Sequence, residues 1–340
     1  MKRILCLLLA CLLLCGCAAA EEKTEKKIYE ATFLTLFDTV TVIKGASESK
    51  EAFSEVAHSI HDELQIYHQL FDIYNDYEGI QNIKTVNDFA GIHPVKVDRK
   101  IIDLLLDCKA YYELSEGKVN VALGGVLRLW HEARNDGIND PVNAALPQEE
   151  KLRSAAQHAD LNAVIIDGAE STVFITDPDL RLDVGAIAKG WSVQRVAENA
   201  PEGLLISVGG NVCATGPKDE KGTPWVIGVQ DPDGDNYLHT LYVSGTSIVT
   251  SGDYQRYYAV DGVRYHHIID PDTLYPSTYW RSVTIVLNDS GLADALSTAL
   301  FVLPMEEGQK LLEKCGAEAM WVDADGNQYY SSGFKALIRT

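Results

Sequence analysis

The stretch DVGAIAKG, residues 183–190, joins a predicted strand to a predicted helix and contains the side chains that say most about function. An apolar strand pattern ends at Asp183, a glycine follows, and a helix then begins. Free backbone N–H groups at the helix start lie beside Lys189, and the helix dipole together with the lysine charge suits a phosphate group. The spacing GxxxxGK[ST] is missing, so the stretch is not a P-loop. A capped helix with a surface lysine is the alternative explanation.

Outward from this stretch, strand and helix patterns continue in both directions, with most strands in the second half. Helices are predicted at residues 53–71, 99–116, 186–198, 292–303 and 306–315. Strands are predicted at 164–166, 173–175, 204–208, 225–229, 240–249, 264–269 and 282–287, with a strand or hairpin arm at 33–43 and a closing hairpin at 323–327. The polar stretch 135–147 predicts a surface loop. The pattern indicates an α+β fold, a single mixed α/β unit with a strand-rich second half.

Composition limits the classes of function. The chain has 340 residues, of which 46% are hydrophobic and 23% charged, so it has enough apolar material for a core and is not disordered as a whole. Its net charge of −20 repels phosphate backbones, and nucleic-acid binding is therefore not expected. A phosphate ligand remains possible where a metal ion or backbone amides neutralise it locally.

The N-terminus predicts where the protein resides. A basic start precedes an apolar run at residues 4–14, which is shorter than the about 20 residues of a membrane-spanning helix and fits a signal peptide. The run LCGC at 14–17 resembles a bacterial lipobox, in which Cys17 becomes the lipidated first residue of the mature chain. A secretory signal cleaved near residues 18–20 is the alternative.

These features divide the chain into a lipoprotein signal peptide at 1–17, a tether at 18–29 and a folded domain at 30–340. Acyl chains such as palmitate on Cys17 would anchor the protein stably in a membrane. The expected location is the extracytoplasmic face of a bacterial cell membrane.

Two further segments carry glycine or histidine in unusual density. In SVGGN, residues 207–211, Gly209 and Gly210 follow an apolar strand and let a ligand or another backbone come close, although a tight turn explains them as well. In YHHIIDP, residues 265–271, His267 is a candidate general base because imidazole titrates near neutral pH. Neighbouring histidines on a strand point to opposite faces, so only one can face a site. A structural histidine is the alternative.

The segment ADALST, residues 293–298, offers oxygen ligands. Asp294 and Thr298 are i and i+4 on the predicted helix and therefore share one face. A carboxylate and a hydroxyl are hard ligands, which suit Mg²⁺ better than Zn²⁺. A carboxylate that caps the helix is the alternative.

Taken together and in this order, five runs resemble those of the ApbE-type family of FAD:protein FMN transferases: D-x-G-x-x-A-K-G, S-x-G-G-N, T-S-G-D-Y, H-I-I-D-P and A-D-A-x-S-T-A. The resemblance covers about residues 35–303. It implies an enzyme that splits FAD, transfers the FMN half to a threonine of a partner flavoprotein and releases AMP, with assistance from Mg²⁺.

The resemblance also implies roles for single residues. Asp294 and Thr298 would ligate Mg²⁺ together with the backbone oxygen of Ala186, and His267 would be the base for the acceptor threonine. The residues expected to contact FAD are Tyr74, Asn120, Val121, Ala122, Asp183, Lys189, Gly209, Gly210 and Ile268.

Two segments on the flavin side depart from the family pattern. Asn120-Val121-Ala122 stands where the family usually has an Asp-Pro-Thr-like run, and Phe37-Asp38-Thr39 replaces a Met-Gly-Thr start. Two alternative functions remain open at this point. One is a Mg²⁺-dependent FAD pyrophosphatase that gives FMN and AMP, and the other is a lipoprotein that binds FAD without cleaving it.

Overall fold

A computed structural model describes residues 26–339. The predicted signal peptide 1–17, its Cys17 and the first part of the predicted tether lie outside the described residues. None of the helices within the described residues combines the length and the apolar character that a membrane crossing needs.

An eight-stranded sheet forms the centre of the fold, in the order β1-β2-β6-β7-β10-β13-β14-β15, and every neighbouring pair is antiparallel. Its strands are β1 Lys27–Phe33, β2 Thr41–Ser47, β6 Leu204–Val208, β7 Asn211–Ala214, β10 Ser247–Gly252, β13 Ser282–Leu287, β14 Glu318–Val322 and β15 Gln328–Tyr330. Side chains alternate between the two sheet faces, so Ile206 and Leu205 enter different apolar clusters.

Three smaller sheets flank the centre. They contain β3 Val95–Lys96, β4 Val164–Asp167 and β5 Thr172–Ile175; then β8 Trp225–Gln230 and β9 Tyr237–Val243; and finally β11 Tyr257–Val260 and β12 Val263–His266. The β8–β9 hairpin contributes Trp225 and Leu241 to the apolar cluster that also contains Leu205 of the central sheet.

The helices cover the other face of the sheet and its ends. They are α1 Lys50–Phe71, α2 Ile83–Asp88, α3 Arg99–Leu114, α4 Gly124–Asn139, α5 Glu149–Ala156, α6 Ala188–Asn199, α7 Ser290–Phe301 and α8 Met305–Cys315. Helix α1 begins after Ser49, whose side chain caps it. It buries Phe53, Ile60 and Leu64, which recur at helical spacing in the sequence.

Helices α6 and α7 cross closely, and this crossing positions the candidate site. A Cβ atom on Gly190 would lie 2.3 Å from the Ser290 carbonyl oxygen and 2.4 Å from the Asp294 Cβ, so only glycine fits there. Asp289 caps α7 by accepting a hydrogen bond from the Leu292 N–H at 2.9 Å.

Several predicted boundaries are wrong in detail. The loop predicted at 135–147 begins later, because α4 continues to Asn139 and buries Gly137 against Tyr258. The strand predicted at 240–249 is divided between β9 and β10 by a turn in which Gly245 has φ 61. The strand predicted at 264–269 already ends at His266.

The N-terminal boundaries also differ from the prediction. Only the ends of 33–43 are extended, since β1 ends at Phe33, a 3₁₀ turn covers Leu36–Asp38 and β2 starts at Thr41. Strand β1 begins at Lys27, inside the predicted tether 18–29, because it pairs with β2 along its whole length.

Candidate functional site

The segment between Asp183 and α6 is a compact turn. The Asp183 N–H donates to the Val121 carbonyl at 2.8 Å, and its Oδ1 accepts from the Gly185 N–H at 2.9 Å. Desolvation raises the pKa of Asp183, against the hydrogen bond from Gly185, which lowers it. The carboxyl group is thereby fixed at the entrance of α6.

Asp294 and Lys189 meet where α6 begins. The Asp294 side chain is 4% exposed, and its Oδ2 accepts from the Gly190 N–H at 2.8 Å. Lys189 Nζ lies 3.7 Å from the same oxygen and donates to the Gly185 carbonyl at 3.3 Å. A buried carboxylate is thus held by one backbone amide and one lysine, which leaves acceptor capacity unused.

The Gly190 amide also changes the hydrogen bonding of α6. In a regular helix it would donate to the Ala186 carbonyl, four residues earlier, but it donates to Asp294 instead. Within residues 26–339, no donor reaches the Ala186 carbonyl. This free carbonyl, the Asp294 carboxylate and the partly buried Thr298 hydroxyl are all hard oxygen donors, and their chemistry fits Mg²⁺.

An aromatic pair stands beside this junction. The Tyr74 ring stacks on His131 with centroids 5.3 Å apart, and it remains 54% exposed. Desolvation and then the charge of Asp183 raise the pKa of Tyr74 to about 12. Arg134 Nη2 donates to His131 Nδ1 at 3.0 Å, which fixes the imidazole orientation. The exposed tyrosine face is suited to stacking against a flat ring system.

The two neighbouring histidines have different environments. His266 is buried, and its two ring nitrogens contact the Ser277 carbonyl at 2.7 Å and the Ile268 N–H at 3.2 Å. His267 has a buried Nδ1 without a hydrogen-bond partner. Desolvation, followed by the positive charges of Arg256, His266, Lys189 and Arg134, lowers the pKa of His267 to about 3. His267 is therefore neutral at physiological pH.

The segment that departs from the family pattern has an unusual backbone. Phe37 and Asp38 adopt left-handed φ values of 52 and 53, a region that glycine enters freely and aspartate tolerates better than most residues. The Phe37 N–H donates to His68 Nδ1 at 3.3 Å, which holds the turn. Thr39 fills the space over Gly209, where a Cβ would lie 2.6 Å from the Thr39 Oγ1.

Comparison with known proteins identifies the relationship. Residues 35–321 match the model of the ApbE family. The chain is 32% identical to a FAD:protein FMN transferase of Treponema pallidum over 347 residues, covering 96% of this chain and 93% of the relative. The chain belongs to the ApbE family.

Solved structures agree with the ApbE assignment. The crystal structure of the ApbE protein from Thermotoga maritima is 31% identical and superposes with a TM-score of 0.81, covering 92% of this chain and 100% of that one. The apo form of the flavinyl transferase ApbE from Pseudomonas stutzeri, at 23% identity, has the same fold with a TM-score of 0.76 and covers 93% of this chain and 98% of that one. The predicted α+β fold and the ApbE resemblance are confirmed.

The structure brings together most residues that the ApbE motifs predicted. Asp183, Ala186, Lys189, Asp294 and Thr298 lie at the α6–α7 junction or at its entrance, and the charges of Lys189 and Asp183 act on His267 and Tyr74 respectively. Gly210 has φ 90 and open space around it, so it leaves room for a ligand.

Other predicted FAD contacts have structural duties. The Asn120 side chain is bonded to the Ala159 carbonyl and the Ala122 N–H, and the side chains of Val121 and Ala122 are buried. Ile268 is 6% exposed in the main core, and its N–H and carbonyl are both hydrogen bonded. Gly209 makes room for Thr39, and its predicted contact with FAD stays a prediction.

Sequence reasoning missed three residues, His131, Arg134 and Arg256. A signal for Arg134 was available, because no acidic residue stands three or four positions away on α4, whereas Arg128 of the same helix pairs with Glu132. Arg256 lies between β10 and β11 and carries no motif that would distinguish it.

Proposed function

We propose that this chain transfers the FMN half of FAD to a threonine of a partner flavoprotein in a Mg²⁺-dependent reaction that releases AMP. The observation that carries the proposal is the diverted Gly190 amide, which ties Asp294 to the start of α6 and frees the Ala186 carbonyl. ApbE membership, together with relatives named FAD:protein FMN transferase, supports the reaction class.

Asp294, Thr298 and the Ala186 carbonyl would hold Mg²⁺. When bound, the ion would supply positive charge to the non-bridging phosphate oxygens. Lys189 adds a second positive charge next to Asp294, and such preorganised charge is worth more in a partly buried site than in water. An acidic protein thereby offers a local environment that accepts a diphosphate.

The transfer itself is a displacement at phosphorus. The acceptor threonine oxygen forms a bond to the phosphorus of the FMN half, and the bond from that phosphorus to the bridging oxygen breaks. AMP leaves with the bridging oxygen, and the threonine proton passes to a base. A positioned base typically contributes about 10²–10⁴-fold to such a step.

His267 is our candidate for that base, and its basicity depends on the substrate. Desolvation is the largest cause of the low pKa of His267 in the free protein, and the cations Arg256, Lys189 and Arg134 add to it. A bound diphosphate would offset the charge of these cations, so its arrival would raise the pKa of His267 and make it a stronger base.

Membrane attachment is a second part of the proposal. The lipobox-like LCGC run supports lipidation of Cys17 at the extracytoplasmic face of a bacterial cell membrane, ahead of a domain at 30–340. Because β1 starts at Lys27, the tether from Cys17 spans at most about 35 Å. Metabolic labelling with a palmitate analogue tests this, and label that persists in a Cys17→Ser variant would refute it.

The activity is tested by intact mass spectrometry. The soluble body is mixed with FAD, Mg²⁺ and a flavoprotein domain that contains an acceptor threonine, with and without a chelator. We expect a mass gain equal to FMN that the chelator abolishes. Free FMN and AMP without labelled acceptor would instead favour a pyrophosphatase, and uncleaved bound FAD would favour a carrier.

A further inference from the structure

Arg134 is a partly buried arginine that has no carboxylate partner. Within residues 26–339, its one side-chain hydrogen bond goes to His131 Nδ1, at 3.0 Å. Five other arginines of the described chain pair with a carboxylate, for example Arg128 with Glu132 at 3.7 Å and Arg281 with Asp233 at 2.6 Å. In a chain with 49 acidic and 29 basic residues, a desolvated arginine that lacks such a partner is unusual.

Arg256 approaches the same place from another element. It immediately precedes β11, and Tyr258 of that strand packs against Gly137 of α4, one turn beyond Arg134. Its exposed guanidinium likewise has no ion-pair partner in the described part of the chain. The charge of Arg256 acts on Tyr74, His131, Arg134, Asp183 and His267, so it contributes to the electrostatic environment of the site.

The positive charges of Arg134 and Arg256 oppose each other, because neither arginine has a carboxylate partner within the described residues. Desolvation and the charge of Arg256 lower the pKa of Arg134, which records this unfavourable arrangement. An anionic ligand removes the repulsion, and guanidinium groups match phosphate oxygens with two parallel hydrogen bonds. The free protein therefore presents two arginine charges without carboxylate partners, and both act on His267 together with Lys189.

We propose that Arg134 and Arg256 form a clamp that binds the diphosphate of the dinucleotide substrate, together with Lys189. The clamp rests on the proposed function, since it takes the diphosphate of FAD as its ligand. In this clamp, helix α4 and the hydrogen bond to His131 position Arg134, and the loop that precedes β11 carries Arg256. The two side chains belong to different elements, so substrate binding also ties β11 to α4.

Binding measurements test the clamp without turnover. We would titrate FAD and follow its fluorescence in the wild type, Arg134→Gln, Arg256→Gln and the double variant, with melting curves to confirm folding. We expect each single variant to bind FAD about 10-fold more weakly or worse, because hydrogen bonds to charged groups are the strong ones. Inorganic pyrophosphate should compete with FAD in the wild type and lose affinity in parallel in the variants.

Matched controls come from helix α4 and from β12, the strand that pairs with β11. Arg128→Gln removes a paired arginine of α4, and Arg264→Gln removes one that covers Tyr257 of β11 at 4.9 Å. Both should bind FAD within about twofold of the wild type, as surface substitutions do. Equal losses in controls and clamp variants would overturn the proposal.

Two further results would overturn the clamp. One is unchanged affinity for FAD and pyrophosphate in folded clamp variants. If transfer still fell in those variants, the two arginines would contact the acceptor protein instead of FAD. The other is a failure of pyrophosphate to bind the wild type. If FAD does not bind the wild type at all, the proposed function fails, and calorimetry with pyrophosphate alone still decides the clamp.

Discussion

The α6–α7 junction and the wall that contains Phe37–Thr39 and Tyr74 are built in opposite ways. At the junction, Asp294 is buried, Gly190 admits no side chain and a backbone amide is used to hold a carboxylate. At the wall, Tyr74 is mostly exposed and the backbone of Phe37 and Asp38 lies in the left-handed region.

One departure from the family pattern, Phe37-Asp38-Thr39, lies on the wall, whereas Asn120-Val121-Ala122 adjoins the junction, because the Val121 carbonyl accepts from the Asp183 N–H. The junction must place hard oxygen donors and charges in fixed positions, so a change in one group disturbs its packed neighbours. In the proposed function the wall would meet the flavin ring system by stacking, which tolerates different side chains. Asp38 stands at the position of the usual glycine and has φ 53, in the left-handed region that glycine enters freely.

Asp294→Asn should have the largest effect on activity, because it changes the charge at the α6–α7 junction and leaves the packing there intact. The amide keeps the shape of the carboxylate and can still accept from the Gly190 N–H, but it loses the charge that binds a cation. We expect transfer to fall about 100-fold or more, in line with losses of preorganised electrostatic groups. Acceptor mass measures the effect, and Asp289→Asn, which retains the cap of α7, is the control. Full activity in Asp294→Asn would remove the metal assignment.

Gly190→Ala should break the packing of the same junction. The added methyl group would collide with the Ser290 carbonyl and the Asp294 Cβ, and overpacking of this kind costs about 1–3 kcal/mol. Urea unfolding measures the loss. Gly125→Ala in α4 meets only Ala155 at 3.5 Å and should be neutral or slightly stabilising. If both substitutions were tolerated equally, the close crossing of α6 and α7 would not govern the site.

Lowering the pH should destabilise the protein through His267, whose buried Nδ1 has no hydrogen-bond partner. Its pKa is about 3 in the folded protein and near 6.5 when unfolded, so between these values the unfolded state binds the extra proton. The stability contributed by neutral His267 is therefore complete above about pH 6.5 and is lost as the pH falls toward 3. His267→Gln should flatten part of that decline in melting temperature between pH 7 and pH 4. The exposed His93→Gln serves as control, and identical pH profiles in all three proteins would contradict this environment of His267.

Tyr74→Ala should have the smallest effect and act on the wall alone. Loss of a stacked ring weakens FAD binding by up to about 10-fold, whereas Tyr74→Phe keeps the stacking face and should bind normally. Flavin fluorescence gives both affinities. Melting temperatures should stay unchanged because the ring is 54% exposed, and a large drop would make Tyr74 a structural residue instead.

Local sequence signals predicted much of the fold. Strands β6 and β13 have the predicted bounds 204–208 and 282–287, and helix α8 begins one residue before its predicted start at 306. The errors lie where a distant contact decides. Helix α4 extends past the predicted loop start because Gly137 packs under Tyr258, a residue more than a hundred positions away in the chain.

The same division holds for the site. The motif residues could be identified from the sequence, because the order of glycines, carboxylates and hydroxyls along single elements carries the ApbE relationship. Tertiary packing was needed to show that Gly190 donates to Asp294 and that Ile268 and Val121 are core residues. These are contacts between elements that are remote in sequence, and their partners depend on how helices and strands pack rather than on any local pattern.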